Sequence, residues 1–137
     1  MIPILALSDI NYSYHKLSGE TKALENISFT VNPGEFIAIV GPSGCGKSTL
    51  LSMIAGLLVP GSGSLTLNGS PISSVRSKIG YMLQKDHLFE WRTILSNVLL
   101  GLEIHKNVNE VTRSKAFELL KTYGLEEFSD AKPSQLS

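Results

Sequence analysis

The sequence predicts an α/β domain that begins in strands, turns once on a glycine-rich loop and ends in helices. Three observations predict it. Residues 36–40 (FIAIV) are five apolar residues in a row, the pattern of a strand buried on both faces of a parallel sheet. Residues 41–49 (GPSGCGKST) are a glycine-rich turn, behind which Leu50, Leu51, Ile54 and Leu58 recur at helical spacing. Past residue 83 the strand-like runs stop and helical patterns take over. The organisation expected is therefore a sheet-containing core over residues 1–83 and a helical part over 84–137.

The elements follow in order. Residues 2–14 read as a first strand, in which Ile10, Tyr12 and Tyr14 alternate with polar Asn11 and Ser13. Residues 15–20 are polar and contain Gly19, so a turn or loop is expected. Residues 23–31 resume an extended pattern, with Ile27, Phe29 and Val31 at period two. Asn32-Pro33-Gly34 is a turn, because proline sets one backbone angle and glycine permits the next. The buried strand, the loop and its helix come next, and Gly56 and Pro60-Gly61 break that helix. Residues 64–67 form a short strand closed by Asn68-Gly69, a strong hairpin signal. Residues 71–77 are polar and mixed. Residues 79–83 are a further short apolar strand. After a loop over 85–92, Thr93 caps a helix over 94–104. Asn109 caps another that runs to Tyr123. There Ala116, Leu119, Leu120 and Tyr123 share a face, Glu110, Arg113, Lys115, Glu118 and Lys121 form the solvated side, and Gly124 supplies the stop. Nothing in residues 131–137 reads as a closing element.

Composition narrows the classes. At 42% apolar and 18% charged residues, the chain is long and apolar enough to build one modest core. Net charge is zero, so no basic footprint for nucleic acid exists. No apolar run approaches the ~20 residues of a membrane span. The start, MIPILALSDI, has neither a basic beginning nor a small-residue cleavage site and reads as a strand rather than a signal peptide. A cytoplasmic protein is expected. Cys45 is the single cysteine, which excludes an internal disulfide and a cysteine metal cluster. It is read as a small side chain in a tight loop, with a redox switch as the alternative. His87 and His105 are read as surface residues, and Arg92 as a surface charge, with a contact in a groove as the alternative.

The glycine-rich turn carries the chemistry. Gly41, Gly46, Lys47 and Ser48 fit the pattern G-x-x-x-x-G-K-[ST]. The glycines permit left-handed angles and let a phosphate approach bare N–H groups. The helix that starts near Gly46 directs its positive dipole end at the same anion. Lys47 adds a full charge opposite the β- and γ-phosphates, and Ser48 offers a hydroxyl to Mg²⁺. A nucleotide-phosphate site is the expectation.

With these residues in view, the chain resembles the N-terminal part of an ABC-transporter ATP-binding subunit. GPSGCGKSTLL followed by AGL is that family's Walker A wording. Residues 81–103 (YMLQKDHLFEWRTILSNVLLGLE) resemble its Q-loop and the start of its helical subdomain. They are similar to importers of nitrate, sulfonate and taurine type, in which P-W-[RT]-T-x-x-x-N-V follows the Q-loop, although Glu90 stands where those have proline. Residues 133–137 (PSQLS) resemble the approach to the signature motif, of which only Leu136 and Ser137 are present. The resemblance implies a P-loop NTPase core of ABC type, with antiparallel strands plus a parallel strand–P-loop–helix unit, followed by an incomplete helical subdomain. It implies that Gly41, Pro42, Ser43, Gly44, Cys45, Gly46, Lys47, Ser48 and Thr49 line the phosphates of ATP and that Tyr14 stacks on the adenine. Gln84 would contact Mg²⁺ and the attacking water and sense the membrane partner. Ser48 and Gln84 are thus the implied metal residues, and Lys47 and Gln84 the implied catalytic ones. Phe89 and Trp91 either lie near the groove that receives the permease's coupling helix or pack under the helical part.

The implied partners are a transmembrane permease, a second copy arranged head to tail and, indirectly, an external solute-binding protein. The implied place is the inner face of the cell membrane, reached through the permease. The implied cargo is a small anionic solute.

No aspartate ends an apolar run here. The aspartates are Asp9, Asp86 and Asp130, so the acidic Mg²⁺ residue that a P-loop ATPase needs is not found. Truncation within the signature motif is expected, with a sheet edge left exposed. A non-catalytic nucleotide-binding fragment or pseudogene product is the second reading. A small P-loop kinase, or an ABC protein of DNA repair or translation, is the third.

Overall fold

The computed structural model describes residues 3–17, 19–75, 79–83 and 87–136. Contacts divide the chain into two compact units, Met1–Met82 and Leu83–Ser137.

The first unit is a sheet with a helix on one face. Strand β1 (Leu5–Lys16) lies between β2 (Gly19–Val31) and β3 (Ser62–Leu67), and a two-residue β4 (Ser70–Pro71) completes the order β2-β1-β3-β4. Every ladder among the described residues is antiparallel. Helix α1 (Lys47–Ile54) covers the sheet, and Leu5, Leu7, Ile10, Leu24, Leu50, Met53, Leu65 and Ile72 form the core. Ile10 and Met53 are wholly buried. Burying such a side chain contributes ~1.5–3 kcal/mol.

A bulge makes this core possible. Leu5 and Leu7 point inward from odd positions, but Ile10 and Tyr12 do so from even ones. Strict alternation would turn Asp9, Asn11 and Ser13 into the core. The ladder to β2 shifts between Leu7 and Ile10, and Asp9 takes a left-handed φ of 50°. Local bonds hold it there. The Asp9 N–H donates to Ser28 Oγ at 2.8 Å, and Asn11 Nδ2 donates to the Asp9 carbonyl at 2.8 Å. The extra residue re-aims the strand, as bulges do. Tyr12 and Tyr14 thereby come round to the face that carries α1.

The turns obey their local chemistry. Gly34 sits at φ 82°, and the Glu35 N–H closes the Asn32–Glu35 turn onto the Asn32 carbonyl at 3.2 Å. Asn68 (51°) and Gly69 (75°) are both left-handed, as a two-residue hairpin between β3 and β4 requires.

Four expectations are corrected. The turn expected over residues 15–20 is shorter than that: His15 pairs with Glu20 and Lys16 with Gly19, and Leu17 begins the turn. Residues 36–40 are not a strand. Among the described residues no ladder engages them, and Phe36 is 95% and Val40 90% exposed. Residues 79–83 are likewise unpaired, with Met82 at 92%. A strand is defined by its neighbour, and the described part of the chain offers neither segment one. Only Ile39 and Ile79 of these runs pack on the core. Finally, the mixed stretch after residue 71 contains one helical turn, α2 (Ile72–Val75), anchored by buried Ile72.

The second unit is helical. Helices α3 (Ile94–Ile104) and α4 (Glu110–Thr122) pack through Ile94, Leu95, Leu99, Ala116 and Leu120. Thr93 caps α3 by accepting from the Ser96 N–H. Asn109 and Thr112 exchange side-chain and backbone bonds in a capping box at the start of α4. The α4 face is narrower than its spacing suggests. Ala116 and Leu120 are buried, but Leu119 (47%) and Tyr123 (75%) are exposed. The segment after α4 does close the unit. Two short 3₁₀ turns, Glu126–Phe128 and Pro133–Gln135, frame it. The Ala131 and Ser129 carbonyls accept the Ile94 and Leu95 N–H groups, which α3 cannot satisfy internally.

Candidate functional site

The site candidate is the loop over residues 41–46 and the first turn of α1. Gly44 (φ 80°) and Gly46 (φ 94°) bend the chain through angles that side chains resist. Gly46 is the N-cap of α1, and it makes no side-chain capping bond. No acidic residue stands in the first turn. The leading N–H groups of α1 are therefore not neutralised by a local side chain, which favours an anion there. Gly46 has a second reason to be glycine. A Cβ there would collide with the Ala23 carbonyl oxygen and come within 3.0 Å of Leu24 Cδ2. The loop thus rests directly on β2.

Lys47 turns back into its own loop. Its ammonium donates to the Gly41 carbonyl at 2.7 Å and the Pro42 carbonyl at 2.6 Å, and lies 3.5 Å from Cys45 Sγ. The charge is thereby held over the glycine backbone. A Cβ on Gly41 would stand 2.9 Å from Cys45 Sγ, so the thiol occupies the space that Gly41 leaves. Cys45 and Ser48 are exposed.

Tyr14 reaches this site from β1. Its hydroxyl and Thr49 Oγ1 are 3.1 Å apart, and Thr49 is buried at 8% exposure. The Tyr12 ring meets the Tyr14 ring edge-on, with centroids 5.0 Å apart and planes at 89°. Tyr14 keeps 39% of its surface open. One turn further along α1, Ser52 Oγ and the Tyr81 hydroxyl are 3.3 Å apart, which ties Tyr81 to the helix. Gln84 lies outside the described residues.

The family model described as ABC transporter matches residues 24–137. The chain belongs to the ABC transporter family. An uncharacterized ABC transporter ATP-binding protein of Bacillus subtilis, YtlC, is 41% identical to 97% of the chain. The taurine import ATP-binding protein TauB of Pelagibacter ubique is 40% identical over 97% of it. The spermidine/putrescine import ATP-binding protein PotA of Pasteurella multocida is 40% identical over 98%. The chain spans about half the length of the first two (51% each) and 36% of the third. Among solved structures, the dimeric post-hydrolysis ATP-binding cassette MJ0796 bound to ADP and Pi superposes with a TM-score of 0.86 at 32% identity. That match covers 97% of this chain and 63% of the other. The fold is the P-loop cassette of ABC ATPases, of which the chain covers part.

Within this ABC transporter chain, sequence reading located the loop but not the Tyr14–Thr49 and Ser52–Tyr81 bonds. These join residues 35 and 29 positions apart, and no local pattern announces them. Arg92 also differs from expectation. It is half-buried, and its Nη2 donates at 2.7 Å to the Ser96 carbonyl and to both carboxylate oxygens of Glu103. The Phe89 and Trp91 rings meet at a tilt of 39° with centroids 4.7 Å apart, and Trp91 stands 72% exposed rather than packed under the helices. Asn97 holds the Phe89 backbone, accepting from its N–H at 2.8 Å and donating to its carbonyl at 3.1 Å. His87, His105 and the five charged residues of α4 are exposed, as expected.

Proposed function

We propose that the chain carries the phosphate-binding part of an ABC importer's ATPase subunit. One observation carries the proposal: the Lys47 ammonium is gathered onto the Gly41 and Pro42 carbonyls within a glycine loop, ahead of a helix start that no side chain caps. On this reading, residues 41–49 surround the ATP phosphates. Lys47 exchanges its two carbonyl partners for phosphate oxygens, and the first N–H groups of α1 donate to the same anion. Tyr14 presents its ring to the adenine.

The donor set fits Mg²⁺, which characteristically takes one or two protein oxygens and completes its shell from phosphates and water. Among the described residues no cluster of three His, Cys, Asp or Glu forms an all-protein cage. Ser48 would hold the ion at the loop, with Gln84 as the second residue. Bound Mg²⁺ would neutralise charge developing on the terminal phosphates. Gln84 would orient the attacking water.

The whole protein would work as a head-to-tail pair of such subunits beneath a membrane permease, on the cytoplasmic face, with an external solute-binding protein delivering cargo. The importer names of the PotA and TauB relatives and the dimer named in the MJ0796 title support this. No helix among the described residues is long and apolar enough to cross a membrane. The cargo we propose is a small anion of the taurine, sulfonate or nitrate class. The W-R-T-x-x-x-N-V stretch at residues 91–98 and the TauB relative support it. The polyamine name of an equally similar relative makes spermidine the control solute in a transport assay.

The test of the site is Lys47→Ala with ATP affinity as the readout. Loss of a charge-assisted bond predicts ~1.5–3 kcal/mol, about 10- to 100-fold weaker binding. Unchanged affinity would overturn the assignment.

A further inference from the structure

Resting on the nucleotide reading above, the geometry points to a second role for Thr49: it positions the Tyr14 ring for the base. We propose that the Tyr14–Thr49 hydroxyl pair is a preorganising tether that couples nucleobase affinity to the phosphate loop. Tyr14 stands on a bulged strand with 39% of its surface open, a setting in which a tyrosine has several rotamers available. Two contacts select one of them. The Tyr12 ring presses edge-on at 5.0 Å and limits rotation on the strand side. The Thr49 hydroxyl, 3.1 Å from the phenol oxygen, fixes the far end of the ring. Thr49 is buried on the first turn of α1, two residues past Lys47, so the ring is pinned to the helix that carries the phosphate loop. The buried Thr49 hydroxyl in turn finds its partner in Tyr14, as buried polar groups require.

Stacking alone needs no hydroxyl, because phenylalanine offers the same ring face. A tether does need it. Ordering one rotamer-rich side chain at a binding surface costs an amount equivalent to about two- to tenfold in affinity. The tether meets that cost before the nucleotide arrives. Tyr14→Phe, which keeps the ring and its contact with Tyr12, therefore weakens ATP binding by about two- to tenfold.

The experiment is calorimetric titration of the purified protein with ATP and, separately, with inorganic triphosphate, both with magnesium chloride. The readout is the ratio of the two affinities, in which phosphate-loop effects cancel. Tyr14→Phe and Thr49→Val are each expected to lower the ratio by about two- to tenfold. Thr49→Ser, which restores a hydroxyl, is expected to hold the wild-type ratio. The double variant Tyr14→Phe/Thr49→Val is expected to fall no further than either single one. A wild-type ratio in Tyr14→Phe, or a double variant whose loss is the product of the two, would overturn the tether and leave the phosphate site standing. Failure of the folded wild type to bind either compound would overturn both.

Discussion

Gly46→Ala is the substitution on which the local physics makes its strongest demand. Two costs combine. The residue sits at φ 94°, where a Cβ costs ~1–2 kcal/mol. That Cβ would also overlap the Ala23 carbonyl oxygen, part of the β2 backbone and unable to swing aside, and crowd Leu24 Cδ2 at 3.0 Å. Forced overpacking of this kind costs a further ~1–3 kcal/mol. The sum, ~2–5 kcal/mol, is a large share of the ~5–15 kcal/mol that holds a domain folded. Gly44→Ala is the internal control, because Gly44 has a similar φ of 80° but nothing within 4 Å of a built Cβ. Urea denaturation followed by far-UV circular dichroism reads both variants. With a slope of ~1–3 kcal/mol per molar, Gly46→Ala should move the midpoint down by about 1–2 M and Gly44→Ala by roughly half as much. Equal midpoints for the two variants would refute the collision with β2. A wild-type midpoint in both would refute the left-handed geometry of the loop.

Two further predictions address the second unit and the turn before the loop. Asn97→Ala should cost ~1–2 kcal/mol, because it removes the bonds that frame the Phe89 backbone. It should also lower the fluorescence anisotropy of Trp91, the single tryptophan, and unchanged anisotropy would mean that the aromatic pair holds itself. The Asn32 side-chain amide, and then its backbone N–H, hold the Glu35 carboxyl below its ordinary value. A depressed folded pKa means that this contribution is present above the unfolded glutamate pKa and is lost as pH falls through the folded one. An NMR titration should place the Glu35 midpoint below that of unfolded glutamate, and Asn32→Ala should raise it part of the way, since alanine keeps the backbone N–H; a midpoint indifferent to Asn32→Ala would sink the attribution to the side-chain amide.

What was legible in the sequence was what short-range chemistry decides. Thr93 and Asn109 announce helix starts because a side-chain oxygen two or three residues from an unpaired N–H suffices. Asn68-Gly69 announces a hairpin because two consecutive left-handed residues exclude most alternatives. The candidate loop was legible for the same reason. What was not legible depends on remote parts of the chain. Residues 36–40 and 79–83 have strand composition, but strand formation needs a neighbour that composition does not name. Residues 15–20 look like a loop because their cross-strand partners lie within the same polar stretch. The change of inward parity at Asp9 shows only in retrospect: Leu5 and Leu7 are odd, Ile10 and Tyr12 are even, and one residue must be absorbed between them. Leu119 and Tyr123 share a helical face with Leu120, yet periodicity cannot say how wide a stripe α3 covers. The Arg92–Glu103 pair bridges eleven positions and follows no helical spacing.

The long β1–β2 hairpin carries a consequence for how the chain is made. At ~5–20 residues per second, the residues between Val31 and Ser62 take about two to six seconds to be synthesised. A hairpin closes within microseconds. During that interval β1 has one partner and one open flank, since β3 supplies the second only later. The left-handed kink at Asp9 interrupts that flank in its middle, and a bent flank is a poor template for pairing with another nascent chain. The same bulge that turns Tyr14 toward the phosphate loop in the finished molecule thus guards the half-built sheet on the ribosome.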